Sequence, residues 1–196
     1  YIKSLHDLGH GKRLLSAVNV GDQLPTRIIG PHTIPSLTTE WRAYTMTVWG
    51  AMRRRTDMGD LGWIDDMDGK EMDGELEKIN PEQTDGAYIG ASRGHLFPHF
   101  ARKIGMPKAY GYGASMGAWS LDYLAGWAGE HGFVTHCNAQ YRGPAFAGDI
   151  TIMTGEITDK SKDDEGRDVV QVKIKMTNQK GDTVSTAKGS VLLPAS

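Results

Sequence analysis

Few side chains in this sequence are of a type and spacing that could do chemistry. His95 and His99 stand four apart in Gly94-His-Leu-Phe-Pro-His-Phe100, and an imidazole titrates near neutrality, so it can take up and return a proton. Two histidines at that spacing could also hold a metal. The Glu of His-Glu-x-x-His is absent, however, and no third ligand is evident, so no metal is expected. The plainer reading is a pair of partly buried polar residues. Asp65, Asp66 and Asp68 crowd together, but the Asp-x-Asp-x-Asp-Gly loop with its distant Glu is not satisfied, which points to charged surface rather than a calcium loop. The single cysteine, Cys137, excludes an intrachain disulfide framework and fits a reducing compartment.

The bulk properties narrow the function classes. A chain of 196 residues suits one domain, with room for an insertion and a real core. Net charge is −2. The only dense basic cluster, Arg53-Arg54-Arg55, is too short to serve as a nucleic-acid footprint, so nucleic acid is not an expected partner. No apolar run approaches the roughly 20 residues a membrane helix needs, and there is no basic-then-apolar signal pattern. The expected compartment is the cytoplasm, with no membrane contact.

The elements that must carry these residues follow from periodicity. Residues 1–19 are weakly patterned and read as an N-terminal arm, with one domain expected over 20–196. Val20–Ile29 reads as a first strand entered through Gly21-Asp22. Ser36 reads as the N-cap of a helix whose Trp41, Tyr44, Val48 and Met52 share a face. An acidic insertion at about 56–86 carries eleven acids against Lys70 and Lys78 and shows no period, the mark of a solvated loop or lid. Gly113–Gly129 is helical in length and apolar nearly all round, so it is expected to be surrounded by protein. Strands are expected at Phe133–Tyr141, Asp149–Thr158 and Val170–Thr177, with a last one ending at Val191-Leu-Leu-Pro194. A long buried helix followed by meandering antiparallel strands is an α+β layout, with the sheet curling over the helix.

Motifs in order along the chain add a second line. Val20-Gly-Asp22 is followed by His95-x5-Ala101-x3-Gly105-x7-Gly113, then Tyr141-Arg-Gly-Pro-Ala-Phe-Ala-Gly-Asp149, Asn178-Gln179-x-Gly181 and a terminal Leu-Leu-Pro. In this order and spacing they resemble the MaoC-like hydratases and dehydratases, including the (R)-specific enoyl-CoA hydratases. The resemblance implies a hot-dog fold, usually dimeric or double, acting on acyl thioesters. It also implies that an Asp and a His hold the water that adds to or leaves C3 of an enoyl-CoA.

Carried over residue by residue, the resemblance makes His95 the catalytic acid–base. It makes Gly113 the backbone donor to the thioester oxygen, at the positive end of the central helix. Gly113 also has a purely conformational reading, as a tight turn into the helix. The family pattern Gly-Asp-x-Asn-Pro-hydrophobic-His meets Ile89-Gly90-Ala-Ser-Arg-Gly94-His95 here, so Gly90 stands where the catalytic Asp belongs and Ser92 where the Asn belongs. Asp85, at the end of the acidic insertion, is the candidate substitute. Tyr112 takes the position of a frequent histidine and is a candidate contact to thioester or water, beside the alternative of packing on Tyr110. Arg142 is a candidate anchor for the strand or for coenzyme A phosphates.

Two function classes result. One is a hydratase or dehydratase interconverting a 2-enoyl-CoA and a 3-hydroxyacyl-CoA, with a bulky or unusual acyl group. It needs no cofactor beyond the coenzyme A of its substrate, and a homodimer or a hot-dog heterodimer is expected. The other is a catalytically silent hot-dog subunit that binds acyl-CoA or completes a partner's dimer. Thioester hydrolysis is a third chemistry open to the same fold.

Overall fold

The computed structural model describes residues 11–37, 93–96, 98–103 and 105–195. The expected helix over Trp41–Met52, the acidic insertion, Asp85, Gly90 and Ser92 lie outside the described residues. The chain divides into two compact units, one of Tyr1–Gly30, Gly113–Ala145 and Asp149–Ser196, the other of Pro31–Tyr112 and Phe146–Gly148.

In the first unit, five antiparallel strands follow one another across the sheet in the order β1-β3-β4-β5-β2. They are β1 (Gln23–Ile29), β2 (Phe133–Tyr141), β3 (Thr151–Lys162), β4 (Asp168–Thr177) and β5 (Thr183–Leu192). The expected meander is correct for β3 to β5 and wrong for β2, which crosses to the far edge and pairs with β5, Val134 opposite Val191 and Ala139 opposite Ala187. The sheet curls on a helix, numbered α3 in chain order, at Gly113–Ala128. A five-stranded antiparallel sheet wrapped on one long helix is the hot-dog fold.

The pleat sorts the side chains. Along β4, Val170, Val172, Ile174 and Met176 are at most 1% exposed, because residues two apart share a face. They meet Met116, Trp119, Tyr123, Leu124 and Trp127 of α3 in one core. Two strand glycines let the helix in. The space a Cβ would take at Gly155 on β3 is filled by Leu24 and Tyr123, and at Gly189 on β5 by Leu124.

Three sequence expectations change, and β2 carries a bulge. The helix is buried on one side only: Ala114, Ala118, Leu121, Asp122, Ala125 and Gly126 face outward in the single chain. Small apolar residues leave little periodic signal, so the segment reads as apolar all round. On β2 the register shifts between Val134 and His136. That bulge moves the inward face from Val134 to Cys137 and Ala139 and leaves Phe133 67% exposed. β3 runs past the expected end at Thr158 to Lys162, leaving Asp163–Arg167 as the turn, where Asp163 accepts backbone N–H bonds from Glu165 and Arg167. In the second unit residues 34–37 form a single helical turn with Thr33 as its cap and Ser36 inside it: Thr33 Oγ1 accepts the Ser36 N–H at 3.1 Å, and Ser36 Oγ accepts the Thr33 N–H at 3.0 Å. This reciprocal pair is the capping-box arrangement.

The described part of the arm belongs to the sheet unit. Val18 is buried in its core, the Leu15 N–H donates to the Pro194 carbonyl, and Arg13 Nε donates to the Trp127 carbonyl at 2.8 Å. The Arg13 guanidinium also lies over the Trp127 ring, so it closes the carbonyl end of α3, where a cation is favoured. Among the described residues no helix is long and apolar enough to cross a membrane.

Candidate active site

His95 lies on a single turn of helix, α1 (Arg93–Leu96), which is followed by α2 (Pro98–Lys103). The spacing His95-x5-Ala101-x3-Gly105 has a local cause. Ala101 is fully buried. Gly105, at φ 82°, ends α2 by donating its N–H to the Arg102 carbonyl while the Met106 N–H reaches the Ala101 carbonyl. That pattern is a Schellman closure, in which the residue after the cap must be left-handed and glycine is favoured.

The imidazole of His95 is buried. Its Nδ1 sits 2.6 Å from the backbone oxygen of Tyr110. A carbonyl only accepts, so Nδ1 carries the proton in that bond and Nε2 of the neutral ring keeps its lone pair. Burial pushes the His95 pKa below its ordinary value, and the bond to the Tyr110 carbonyl pulls it partly back. The net effect favours a neutral ring at pH 7. The Tyr110 ring lies 4.3 Å from the imidazole, and Tyr112 meets it edge-on at 5.3 Å. Burial raises the Tyr110 phenol, so it stays protonated near neutrality. Sequence reasoning singled out His95 and Tyr112, and the structure brings these two together. It missed the Tyr110 carbonyl, because a backbone acceptor leaves no residue-type signal.

In the sheet unit, Gly113 is the first residue of α3, where the leading N–H groups have no intrahelical partner. The reason for glycine here is visible: a Cβ would stand 3.3 Å from the Tyr141 ring. One turn on, a Cβ at Gly117 would stand 2.7 Å from the Tyr141 hydroxyl. The ring of Tyr141, the last residue of β2, therefore lies along the first turn of the helix on a two-glycine step. Tyr141 was read as the end of a strand and the start of a motif, not as a neighbour of Gly113. The signal that could have found it is the Gly113-x3-Gly117 spacing, two absent side chains one helical turn apart, which marks a close approach.

Arg142 follows on the exposed end of β2. Its N–H donates to the Val184 carbonyl at 2.9 Å, and its guanidinium donates to the Gln140 side chain. Asp149, ending the same motif, accepts from Gln179 Nε2 at 2.8 Å, while Gln179 Oε1 accepts the Ile150 N–H. The Asn178-Gln179-x-Gly181 turn thereby latches the Gly-Asp segment. Of the other candidates, Asp85 and Ser92 lie outside the described residues, as does the side chain of His99. Among the described residues no three His, Cys, Asp or Glu side chains are grouped to hold a metal ion.

No protein-family model and no curated protein matches the chain. Solved structures do. The ChsH1-ChsH2 complex from Mycobacterium tuberculosis superimposes with TM-score 0.58 at 15% identity, over 89% of this chain and 98% of that one. An (R)-hydratase from A. caviae involved in PHA biosynthesis gives 0.55 at 16% identity, over 91% and 98%. A MaoC-like dehydratase from Rhodospirillum rubrum gives 0.56 at 13% identity, over 93% and 97%. At these identities the likeness establishes the hot-dog fold, in agreement with the sheet and helix described above.

Proposed function

We propose that this chain is a MaoC-like hydratase/dehydratase that interconverts a 2-enoyl-CoA and a 3-hydroxyacyl-CoA. The observation that carries the reading is His95: a buried imidazole whose Nδ1 lies 2.6 Å from a backbone carbonyl, an arrangement that leaves Nε2 to act as the base. In hydration, Nε2 takes a proton from water as the water oxygen bonds to C3. The electrons of the C2–C3 double bond move toward the thioester carbonyl, and the imidazolium then returns a proton to C2. Dehydration is the reverse, with the C2 proton removed and the C3 hydroxyl leaving as water.

The charge that gathers on the thioester oxygen needs preorganised donors. The Gly113 N–H, which has no intrahelical partner at the positive end of α3, has the chemistry for this. Tyr112, at the edge of the His95 ring, is assigned to the substrate or its water, and Arg142 to the coenzyme A phosphates. Asp85 and Ser92 are carried as the acid partner and as a further contact. The motif order in the sequence and the hydratase and dehydratase structures of the same fold support the reading. The same reading makes the protein a cytoplasmic homodimer or one half of a hot-dog heterodimer, acting on a bulky or unusual acyl group.

The test is to mix purified protein with 2-enoyl-CoAs of increasing acyl bulk, following loss of the conjugated thioester absorbance and release of free thiol. Absorbance loss without thiol is the expected result. Thiol release would make the protein a thioesterase. No turnover, together with a co-purifying second hot-dog chain, would make it a silent subunit.

A further inference from the structure

The motif Tyr141-Arg-Gly-Pro-Ala-Phe-Ala-Gly-Asp149 has a middle that neither the sheet nor the proposed roles use. Its three residues Phe146–Gly148 leave the sheet unit and join the unit of His95. There they run antiparallel to the segment before the helix. Tyr110 and Phe146 form an isolated β-bridge, and the Ala147 N–H donates to the Ala109 carbonyl at 2.8 Å. Beyond it the Gly148 N–H donates to the His32 carbonyl at 2.7 Å, with Gly148 held at φ 89°. At that φ a side chain is strained even though the nearest neighbour of an added Cβ, Lys108 Nζ, is 3.8 Å away.

These bonds bear on His95 through one atom. The Tyr110 carbonyl accepts from Nδ1 at 2.6 Å, and a peptide carbonyl can aim a ring only if its own backbone is fixed. The Ala109–Tyr110 peptides belong to no regular strand, so Phe146–Gly148 supplies the fixing. The Tyr110 ring, tilted against the imidazole with centroids 4.3 Å apart, comes from the same residue. Its aim therefore depends on the same backbone.

We propose that Phe146-Ala147-Gly148 is a positioning element for His95: it pins the Ala109–Tyr110 backbone, and the Tyr110 carbonyl so held fixes the tautomer and aim of the imidazole. This backbone carbonyl does for His95 what an orienting carboxylate does for other histidine bases. The inference rests on His95 being the acid–base of the proposed reaction, but the tautomer is measurable whether or not the protein turns over an enoyl-CoA.

The experiment uses the full chain labelled with 15N-histidine. Long-range proton–nitrogen correlation spectra distinguish a protonated Nδ1 from a protonated Nε2, and the His95 signal is the one of seven lost in His95→Gln. Wild type is expected to show the Nδ1–H form with a slowly exchanging proton; the Nε2–H form would overturn the proposal at once. In Gly148→Ala, checked for native circular dichroism, the Nδ1 proton should exchange at least about tenfold faster. Where wild type is active, kcat should fall about 10- to 100-fold with KM little changed. Gly166→Ala strains another positive-φ glycine, at φ 77° in the β3–β4 turn, and should alter neither readout. A folded Gly148→Ala with wild-type tautomer and exchange would overturn the positioning role. A wild type with the expected tautomer but no activity on any enoyl-CoA would instead refute the hydratase reading and leave the positioning intact.

Discussion

Placing alanine at Gly117 tests the two-glycine step under Tyr141 without touching the histidine. A Cβ at Gly117 would stand 2.7 Å from the Tyr141 hydroxyl, and the next nearest atom is the ring carbon bearing that hydroxyl, at 3.9 Å. Two effects oppose. Alanine is favoured over glycine inside a helix by about 1 kcal/mol. Against this, the phenol must move, which is cheap in part because Tyr141 is 49% exposed but gives up its packing along the first turn. Gly117→Ala alone should therefore gain clearly less than about 1 kcal/mol. In Tyr141→Phe the offending oxygen is gone and 3.9 Å is ordinary contact, so the same substitution should gain close to the full ~1 kcal/mol. For a chain of this length that is roughly 2–4 °C in Tm. The assay is urea unfolding of the four members of the double-mutant cycle, followed by tryptophan fluorescence. A coupling of at least ~0.5 kcal/mol between the two sites is expected, as for residues in direct contact. Equal gains in both backgrounds would refute the placement of Tyr141 on the helix.

Three further outcomes follow from the core and from His95. Leu124→Ala removes a fully buried side chain and should cost about 2–5 kcal/mol in urea unfolding; a loss under ~1 kcal/mol would contradict its place under the sheet. Gly189→Ala drives a methyl into Leu124 and should destabilise strongly, with partial recovery in combination with Leu124→Ala. The third outcome concerns pH. The folded-state pKa of His95 lies below its ordinary 6.5, so the unfolded chain binds the proton first as pH falls. Its contribution to stability is complete above about 6.5 and is lost between 6.5 and the lower folded value. Unfolding free energy measured against pH should fall through that window in wild type and flatten in His95→Gln.

How much of this was legible in the sequence differed by element. Period-two alternation located β4 almost residue by residue, because Val170, Val172, Ile174 and Met176 all face one buried layer. The helix Gly113–Ala128 was bounded to within a residue by its glycines. Its sidedness was not legible, since Ala114, Ala118 and Ala125 are apolar by type yet too small to demand burial. β2 was found as a strand but misjudged in partner: its bulge between Val134 and His136 and its pairing with β5 are choices that no local pattern encodes. At the site, His95 and Tyr112 could be named from type and spacing. The carbonyl that orients His95 and the ring that explains Gly113 could not. One is backbone, and the other comes from a residue 28 positions away in sequence (Gly113 to Tyr141).

In the proposed reaction His95 Nε2 exchanges the proton with water and C2. The decisive comparison is kcat/KM for hydration of an active 2-enoyl-CoA in wild type and in folded His95→Gln, which keeps a polar side chain of similar reach but cannot carry the proton. A fall of about 10²- to 10⁴-fold is predicted, the usual contribution of a positioned acid–base. Turnover within a few-fold of wild type would contradict it.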